Sequence, residues 1–322
     1  MSFFYKSISI IMIALVFPGQ GSQTKGMIKD FYDNFPLVRE IFDKISNSSQ
    51  IDVKDIIFND NNRSLDITEF TQISIFCASI SIFSVIKNIY GSNFYDKINF
   101  LAGHSLGEYS ALTASGSLDI YNCSKILKIR GKCMQESYPE RESGMLAVIG
   151  IEVSKLENIL KQNDKLFFEI ANDNAPGQIV ISAKTKDFEK IQLLLKDYGA
   201  KKIIPLNVSA GFHSSFMKNA KNIMNEELNK IEINDSNIPV ISNYSALPVK
   251  KSSDILNNLK NQITNRVKWV ETINFLKKND INHIIEIGPN KILTGLNKRI
   301  NSNFTLTNIS CIKDLDNFKN VI

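Results

Sequence analysis

The chain has 322 residues, 43% of them apolar and 22% charged, which suffices for a large core and excludes a disordered or fibrous chain. Its net charge of +5 is modest and dispersed over pairs such as Lys201-Lys202, Lys250-Lys251 and Lys298-Arg299. These read as solvated surface first, as a dock for an acidic partner second, and as a nucleic-acid surface a distant third.

The four cysteines, Cys77, Cys123, Cys133 and Cys311, are scattered without C-x-x-C spacing. That argues against a disulfide framework or a zinc site and for a reducing cytoplasm. Residues 8–17 are mostly apolar and follow Lys6, as in a short signal peptide, but no small-x-small cleavage site follows them. Cleavage near residue 20 would also remove a strand; Met12 directly precedes that strand, so the native start is expected there, with residues 1–11 dispensable. The charge-free run Ile73–Ile86 is too short to span a bilayer and reads as a buried helix. No membrane span is expected.

In chain order, Ile13–Phe17 is apolar at every position, the mark of a strand covered on both faces. It runs into Pro18-Gly19-Gln20-Gly21-Ser22-Gln23, either a plain strand-to-helix loop or a turn that donates N–H groups to an anion. Residues 28–66 read as short helices and polar loops, and 71–90 as a long buried helix.

The apolar run Ile98–Ala102 leads into Gly103-His104-Ser105-Leu106-Gly107-Glu108, and a small-residue helical run, Tyr109–Ser115, follows. Strand, G-x-S-x-G and helix in succession form a nucleophile elbow. Its glycines leave room for a strained serine and for close strand–helix packing. The turn aims the Leu106 N–H and the helix N-terminus at an oxyanion formed there.

A helix is predicted over Asp119–Ser137. At 100° per residue Ile120, Cys123, Ile126, Leu127, Cys133 and Met134 share one arc, with Arg130 at its centre. A core-facing guanidinium needs an anion. The spacing leaves two choices open, a structural salt bridge to a buried acid or a bidentate clamp on a substrate carboxylate.

Residues 143–208 change rhythm. Strands are predicted at Met145–Ile149, Phe167–Ala171, Gln178–Ser182 and Ile203–Val208, and helices at 153–162 and 186–198, the β-α-β-β-α-β order of a ferredoxin-like unit. Asn172–Gly177 reads as the turn between its central strands. Pro239–Ser242 and Ile281–Ile287 then read as further buried strands, and Gly288-Pro289-Asn290-Lys291 opens the last main helix. Residues 301–322 form an Asn- and Lys-rich tail without periodicity. No metal-ligand cluster appears.

Only three histidines exist. His104 adjoins the nucleophile and reads as a packing or orienting group; His283 lies in an apolar strand and reads as a core or surface residue. His213, in the small-residue loop Ser209–Ser215 and after Ser105 in chain order, is by elimination the candidate base.

Taken together these segments resemble the malonyl-CoA:acyl carrier protein transacylase family. The matching residues are Phe17-Pro18-Gly19-Gln20-Gly21-Ser22-Gln23, Gly103 through Ala111, and Arg130-Gly131 followed by Met134-Gln135. They continue with Asn174-Ala175-Pro176-Gly177-Gln178, Phe212-His213-Ser214, Gln262 ahead of Val267-Lys268-Trp269, and Gly288 through Leu296. Asn290 stands where the family usually has Gly, and Asp173 and Ala175 alter the usual wording of the insertion turn.

The resemblance implies an α/β fold: an α/β-hydrolase-like parallel-sheet domain, residues 12–138 and 209–322, with an inserted ferredoxin-like subdomain, residues 139–208. It implies Ser105 as nucleophile, His213 as base, and oxyanion N–H groups from Gln20 and Leu106. It implies Arg130 on the malonyl carboxylate, Asn174 and Phe212 in the substrate pocket, and a backbone carbonyl near Gln262 orienting His213. Phe212 adjoins His213, so its ring is expected to fill the space of an α-methyl branch. The implied reaction is ping-pong malonyl transfer from malonyl-CoA to the phosphopantetheine thiol of acyl carrier protein through a malonyl-serine, supplying fatty-acid elongation. The alternatives are an acyltransferase of polyketide synthesis, a serine thioesterase, and an inactive protein that only docks the carrier. No cofactor or metal is implied, malonyl-CoA being a substrate, and the partner set is acyl carrier protein without nucleic acid or membrane, for a cytoplasmic monomer.

Overall fold

The computed structural model describes residues 12–61, 63–139, 141–163 and 165–319. The expected native start at Met12 concerns residues 1–11, which lie outside the described residues.

The strands are β1 Ile13–Phe17, β2 Ile98–Gly103, β3 Ser143–Ile149, β4 Phe168–Ala175, β5 Gln178–Lys184 and β6 Lys202–Pro205. They continue with β7 Val240–Ile241, β8 Pro248–Val249, β9 Val267–Lys268, β10 His283–Ile287 and β11 Thr305–Ile309. The large sheet has the order β11-β10-β1-β2-β7-β8 and is parallel except for β8. Alternate residues of β1 serve two cores, as a continuous apolar strand requires. Ile13, Leu15 and Phe17 join the core that holds the long helix, while Ala14 and Val16 face Trp269, Ile273 and Leu293.

The small sheet has the order β6-β3-β5-β4-β9. Its first four strands are antiparallel to their neighbours, which is the ferredoxin-like arrangement. They carry a core of their own, with Leu146, Val148, Phe168 and Ile181 packed on Leu156, Ile159, Ile191 and Leu195 from two helices. β9, from the later part of the chain, adds a parallel edge beside Asn172 and Asp173 of β4.

The predicted long helix runs over Thr68–Tyr95, with a non-helical Gly91 at φ 62°. One described helical stretch, Thr68–Gly91, is long and apolar enough to cross a membrane, and 72% of its most apolar window is buried inside the protein. That coverage is the mark of a core helix.

Three expectations need correction. The tail is not featureless: Thr305–Ile309 pairs in parallel with β10, and the helix Asp314–Phe318 sets the Phe318 ring against Tyr90 and Phe94. An edge strand half open to water carries only a short, weak pattern. The strand expected to reach Val208 ends at Pro205, with one further bond from the Leu206 N–H to the Met145 carbonyl at 2.9 Å. Most of the expected turn at 172–177 is strand, because β4 continues to Ala175 with register shifts after Ile170 and Asp173. Asn and Asp are poor strand formers, so composition misread a bulged strand as a loop.

Candidate active site

The elbow sits where β2 hands over to the helix Gly107–Ala114. A Cβ on Gly107 would overlap the Phe17 carbonyl of the neighbouring strand, and one on Gly103 would overlap Gly107. Only glycine lets strand and helix approach so closely. Ser105 has φ 52°, the left-handed conformation that the motif predicts.

The Ser105 hydroxyl lies 2.8 Å from His213 Nε2. His213 Nδ1–H donates to the Gln262 backbone carbonyl at 3.1 Å, which leaves Nε2 as the unprotonated nitrogen facing the serine. His213 is 4% exposed, and burial first and the Arg130 charge second push its imidazole down to about 3. It therefore stands neutral at physiological pH, ready to accept a proton.

Arg130, 1% exposed, comes from the helix Ile120–Glu136. Gly131 lets this helix press on the start of the long helix, since a Cβ there would lie 2.7 Å from Glu69 Cα. Arg130 Nη1–H donates to Gln72 Oε1 at 2.6 Å, and Nη2–H donates to Gln262 Oε1 and to Ser105 Oγ, each at 3.0 Å. Its guanidinium also lies over the Tyr109 ring at 5.4 Å. Among the described residues Arg130 Nε–H finds no acceptor, and no carboxylate forms an ion pair with the side chain. The structural salt bridge left open by the helical spacing thus has no acid to complete it.

Gln20, Ser105, Leu106, Arg130, Asn174, Phe212 and His213 border one cavity of about 160 Å³, with Met134, Met145 and Val208 adding apolar wall. Gln262 stands behind it. Among the described residues neither the Gln20 N–H nor the Leu106 N–H, which precedes the helix at Gly107, meets an acceptor. Both residues line the cavity, so the two donors are available to a group bound there. The bulges of β4 matter here: they turn Asn172 and Asn174 to the cavity, and Asn174 Oδ1 accepts from His104 Nε2–H at 2.8 Å. His104 rests on the Trp269 ring at 5.6 Å and is therefore a wall of the cavity as well as a packing group. His283 belongs to the core, 5% exposed and bonded to Thr307.

Three contributors were not singled out in the sequence. Gln72, near the start of the helix Thr68–Tyr95, accepts from Arg130. Asn243 follows β7, and its Oδ1 accepts the Ser105 N–H at 2.6 Å. Glu108, the last residue of the elbow motif, is 2% exposed, and burial pushes its carboxyl up to about 7. Only Glu108 carried a sequence signal, by lying inside the motif.

The sequence model described as an acyl transferase domain matches residues 14–303. The malonyl CoA-acyl carrier protein transacylase of Bacillus subtilis (strain 168) is 38% identical over 291 residues, covering 90% of both chains. A solved acyl-carrier-protein-S-malonyltransferase from Bartonella henselae superposes with a TM-score of 0.92 at 35% identity, covering 97% of this chain and 99% of that one. A malonyl-transacylase solved in complex with a type II polyketide synthase acyl-carrier protein has a TM-score of 0.90 at 32% identity, covering 95% of this chain and 98% of its own.

Proposed function

The chain belongs to the acyl transferase domain family, and from that premise we propose that Ser105 is its nucleophile and His213 its base. The reaction is transfer of a malonyl group from malonyl-CoA to acyl carrier protein. The observation that carries the residue assignment is the Ser105 Oγ to His213 Nε2 contact at 2.8 Å, made beside a guanidinium with no carboxylate partner among the described residues.

His213 Nε2 takes the Ser105 proton while Oγ attacks the thioester carbonyl. The Gln20 and Leu106 N–H groups receive the tetrahedral oxyanion, each donor worth about 3 kcal/mol in sites of this kind. Collapse breaks the C–S bond, and the coenzyme A thiolate leaves with the proton from His213. The phosphopantetheine thiol then gives its proton to His213 and attacks the malonyl ester; collapse breaks the C–Oγ bond, and Ser105 Oγ takes the proton back from His213. Arg130 holds the malonyl carboxylate, and the neutral groups around it make it available for that pairing. The cavity of about 160 Å³ leaves room for a three-carbon acyl group. In this reading Phe212 lines the cavity beside the α-carbon, and Asn174 and His104 add further wall. This acyl transfer balances without a cofactor.

Residues 139–208 form the inserted subdomain in this reading, supported by their separate core, with the remainder as the catalytic domain. One chain supplies every group named, so the working unit is a monomer. The four unpaired cysteines suit a cytoplasmic setting. The acceptor carrier is that of fatty-acid elongation. A polyketide carrier is the second reading, drawn from the solved relative bound to one, and kcat/KM with each kind of carrier decides between them.

The test is intact-mass measurement after mixing with malonyl-CoA. The protein should gain one malonyl mass, and added pantetheine should clear it as a thioester, where a thioesterase would release malonate instead. Ser105→Ala should gain nothing; an adduct on that variant places the nucleophile elsewhere.

A further inference from the structure

Glu108 is a buried carboxylate that the transfer chemistry does not use, yet its Oε2 lies at the node of the site. Two donors converge on that oxygen, Gln262 Nε2–H at 2.7 Å and the Asn243 N–H at 3.0 Å. Each donor residue also grips the elbow. Gln262 Nε2 gives its other hydrogen to the Ser105 carbonyl at 3.0 Å. Asn243 accepts the Ser105 N–H through Oδ1 and donates from Nδ2 to the Gly103 carbonyl, both at 2.6 Å. Gln262 further offers its backbone carbonyl to His213 and Oε1 to Arg130.

The Gln262 amide is therefore fully committed: two hydrogens and one oxygen, each with a partner. A 180° flip would turn an N–H toward the Arg130 cation and an oxygen toward the Ser105 carbonyl. The acceptor at Glu108 adds a third penalty to that flip, because an amide oxygen facing Oε2 would meet a second lone pair. The same acceptor anchors Asn243 and so supports Ser105 at φ 52°.

We propose that Glu108 is a positioning residue: its Oε2 locks the Gln262 amide in the one orientation that serves Arg130 and Ser105 together, and it indexes the nucleophile, the base and the carboxylate clamp on one another. The proposal rests on the reading of Ser105 and Arg130 above. It concerns the oxygen and not the charge. The carboxyl can carry its proton on Oε1 and still accept at Oε2, which suits a group that burial has pushed up to about 7.

The test compares Glu108→Met, which removes the acceptor, with Glu108→Gln, which keeps an oxygen and removes the charge. The readout is the ratio of malonyl to acetyl kcat/KM, with melting temperature beside it. Glu108→Met should lower the ratio about tenfold, and Glu108→Gln should restore it to within about twofold of wild type. Gln262→Met retains the backbone carbonyl for His213 and should lower the ratio as Glu108→Met does, and the two changes together should add little. A folded Glu108→Met with an unchanged ratio overturns the proposal, as does a Glu108→Gln as impaired as Glu108→Met. If Glu108→Met does not fold, Gln262→Met decides by the same ratio; failure of both to fold assigns the pair to stability alone and overturns it too. Arg130→Ala is the control: if that change leaves the ratio untouched, the clamp reading fails first, whereas a ratio that moves there and not in Glu108→Met sinks only the role of Glu108.

Discussion

Arg130 and Arg266 both lie within reach of the site, and they are held in opposite ways. Arg266 keeps a fifth of its side chain in water and pairs with two carboxylates, Glu157 at 2.8 Å and Glu271 at 3.3 Å. Arg130 is buried, and its partners are two neutral amides and the Ser105 hydroxyl. Burying a cation costs several kcal/mol unless charge is returned to it. Glu108 returns some of that charge from beyond the Gln262 amide, which bridges the two side chains. The contrast teaches that the deeper guanidinium is the less compensated one, as the proposed clamp on a substrate carboxylate requires.

The largest effect that breaks or upholds this contrast is Arg130→Ala. Malonyl transfer should fall by about a hundredfold, the cost of one charge-assisted fork, while acetyl transfer is spared or raised. Parallel loss of malonyl transfer, acetyl transfer and melting temperature would make Arg130 structural after all.

Next comes acid sensitivity. The folded His213 pKa lies below its ordinary 6.5, at about 3. Between those values the unfolded chain binds the proton and the native one does not, so stability is lost as pH falls from about 6.5 toward 3. Glu108, raised from 4.5 to about 7, acts in the opposite sense, gaining stability as pH falls through that window. The difference between wild type and His213→Gln isolates the histidine: urea midpoints against pH should drop less steeply in the variant. Arg130→Ala should also soften the drop, by removing the second cause of the shift, and Arg266→Ala should not. Superimposable profiles for wild type and His213→Gln count against a neutral buried base.

Phe212→Ser should raise methylmalonyl use relative to malonyl by about tenfold, the scale of one methyl group in a tight pocket. An unchanged ratio removes the ring from the pocket wall. The smallest effect belongs to Arg266→Ala. Its partly solvated pairs should be worth under about 1 kcal/mol, and malonyl transfer should stay within about twofold of wild type. A loss there as large as that of Arg130→Ala would erase the distinction between the two arginines.

Much of this site was legible in the chain, unevenly. The elbow was legible because its geometry is local: glycines at 103 and 107, an apolar strand before and a helix after, all within a dozen residues. His213 was reached by elimination among three histidines, and Arg130 by its position on a helical arc. Asn172 and Asn174 were placed in a turn, since no composition rule anticipates a strand that bulges twice to aim amides at a cavity. Gln72, Asn243 and the side chain of Gln262 carried no signal. Each is an ordinary amide whose role depends on partners 58, 138 and 154 positions away.

By itself the sequence determined the elements that obey a short period: the doubly covered strand at Ile13–Phe17, the elbow, the amphipathic helix bearing Arg130, and the β-α-β-β-α-β rhythm of the small subdomain. Hydrophobic periodicity and glycine sterics act over neighbouring residues and are written there directly. Only the tertiary structure decided that Arg130 has no acidic partner among the described residues, that the tail adds a sixth strand to the large sheet, and that Gln262 joins histidine through its backbone carbonyl and serine, arginine and Glu108 through its side-chain amide. Those outcomes depend on which hydrogen-bonding groups meet after the chain has closed on itself. An amide states its capacity in the sequence; burial and neighbours decide which of its bonds are made.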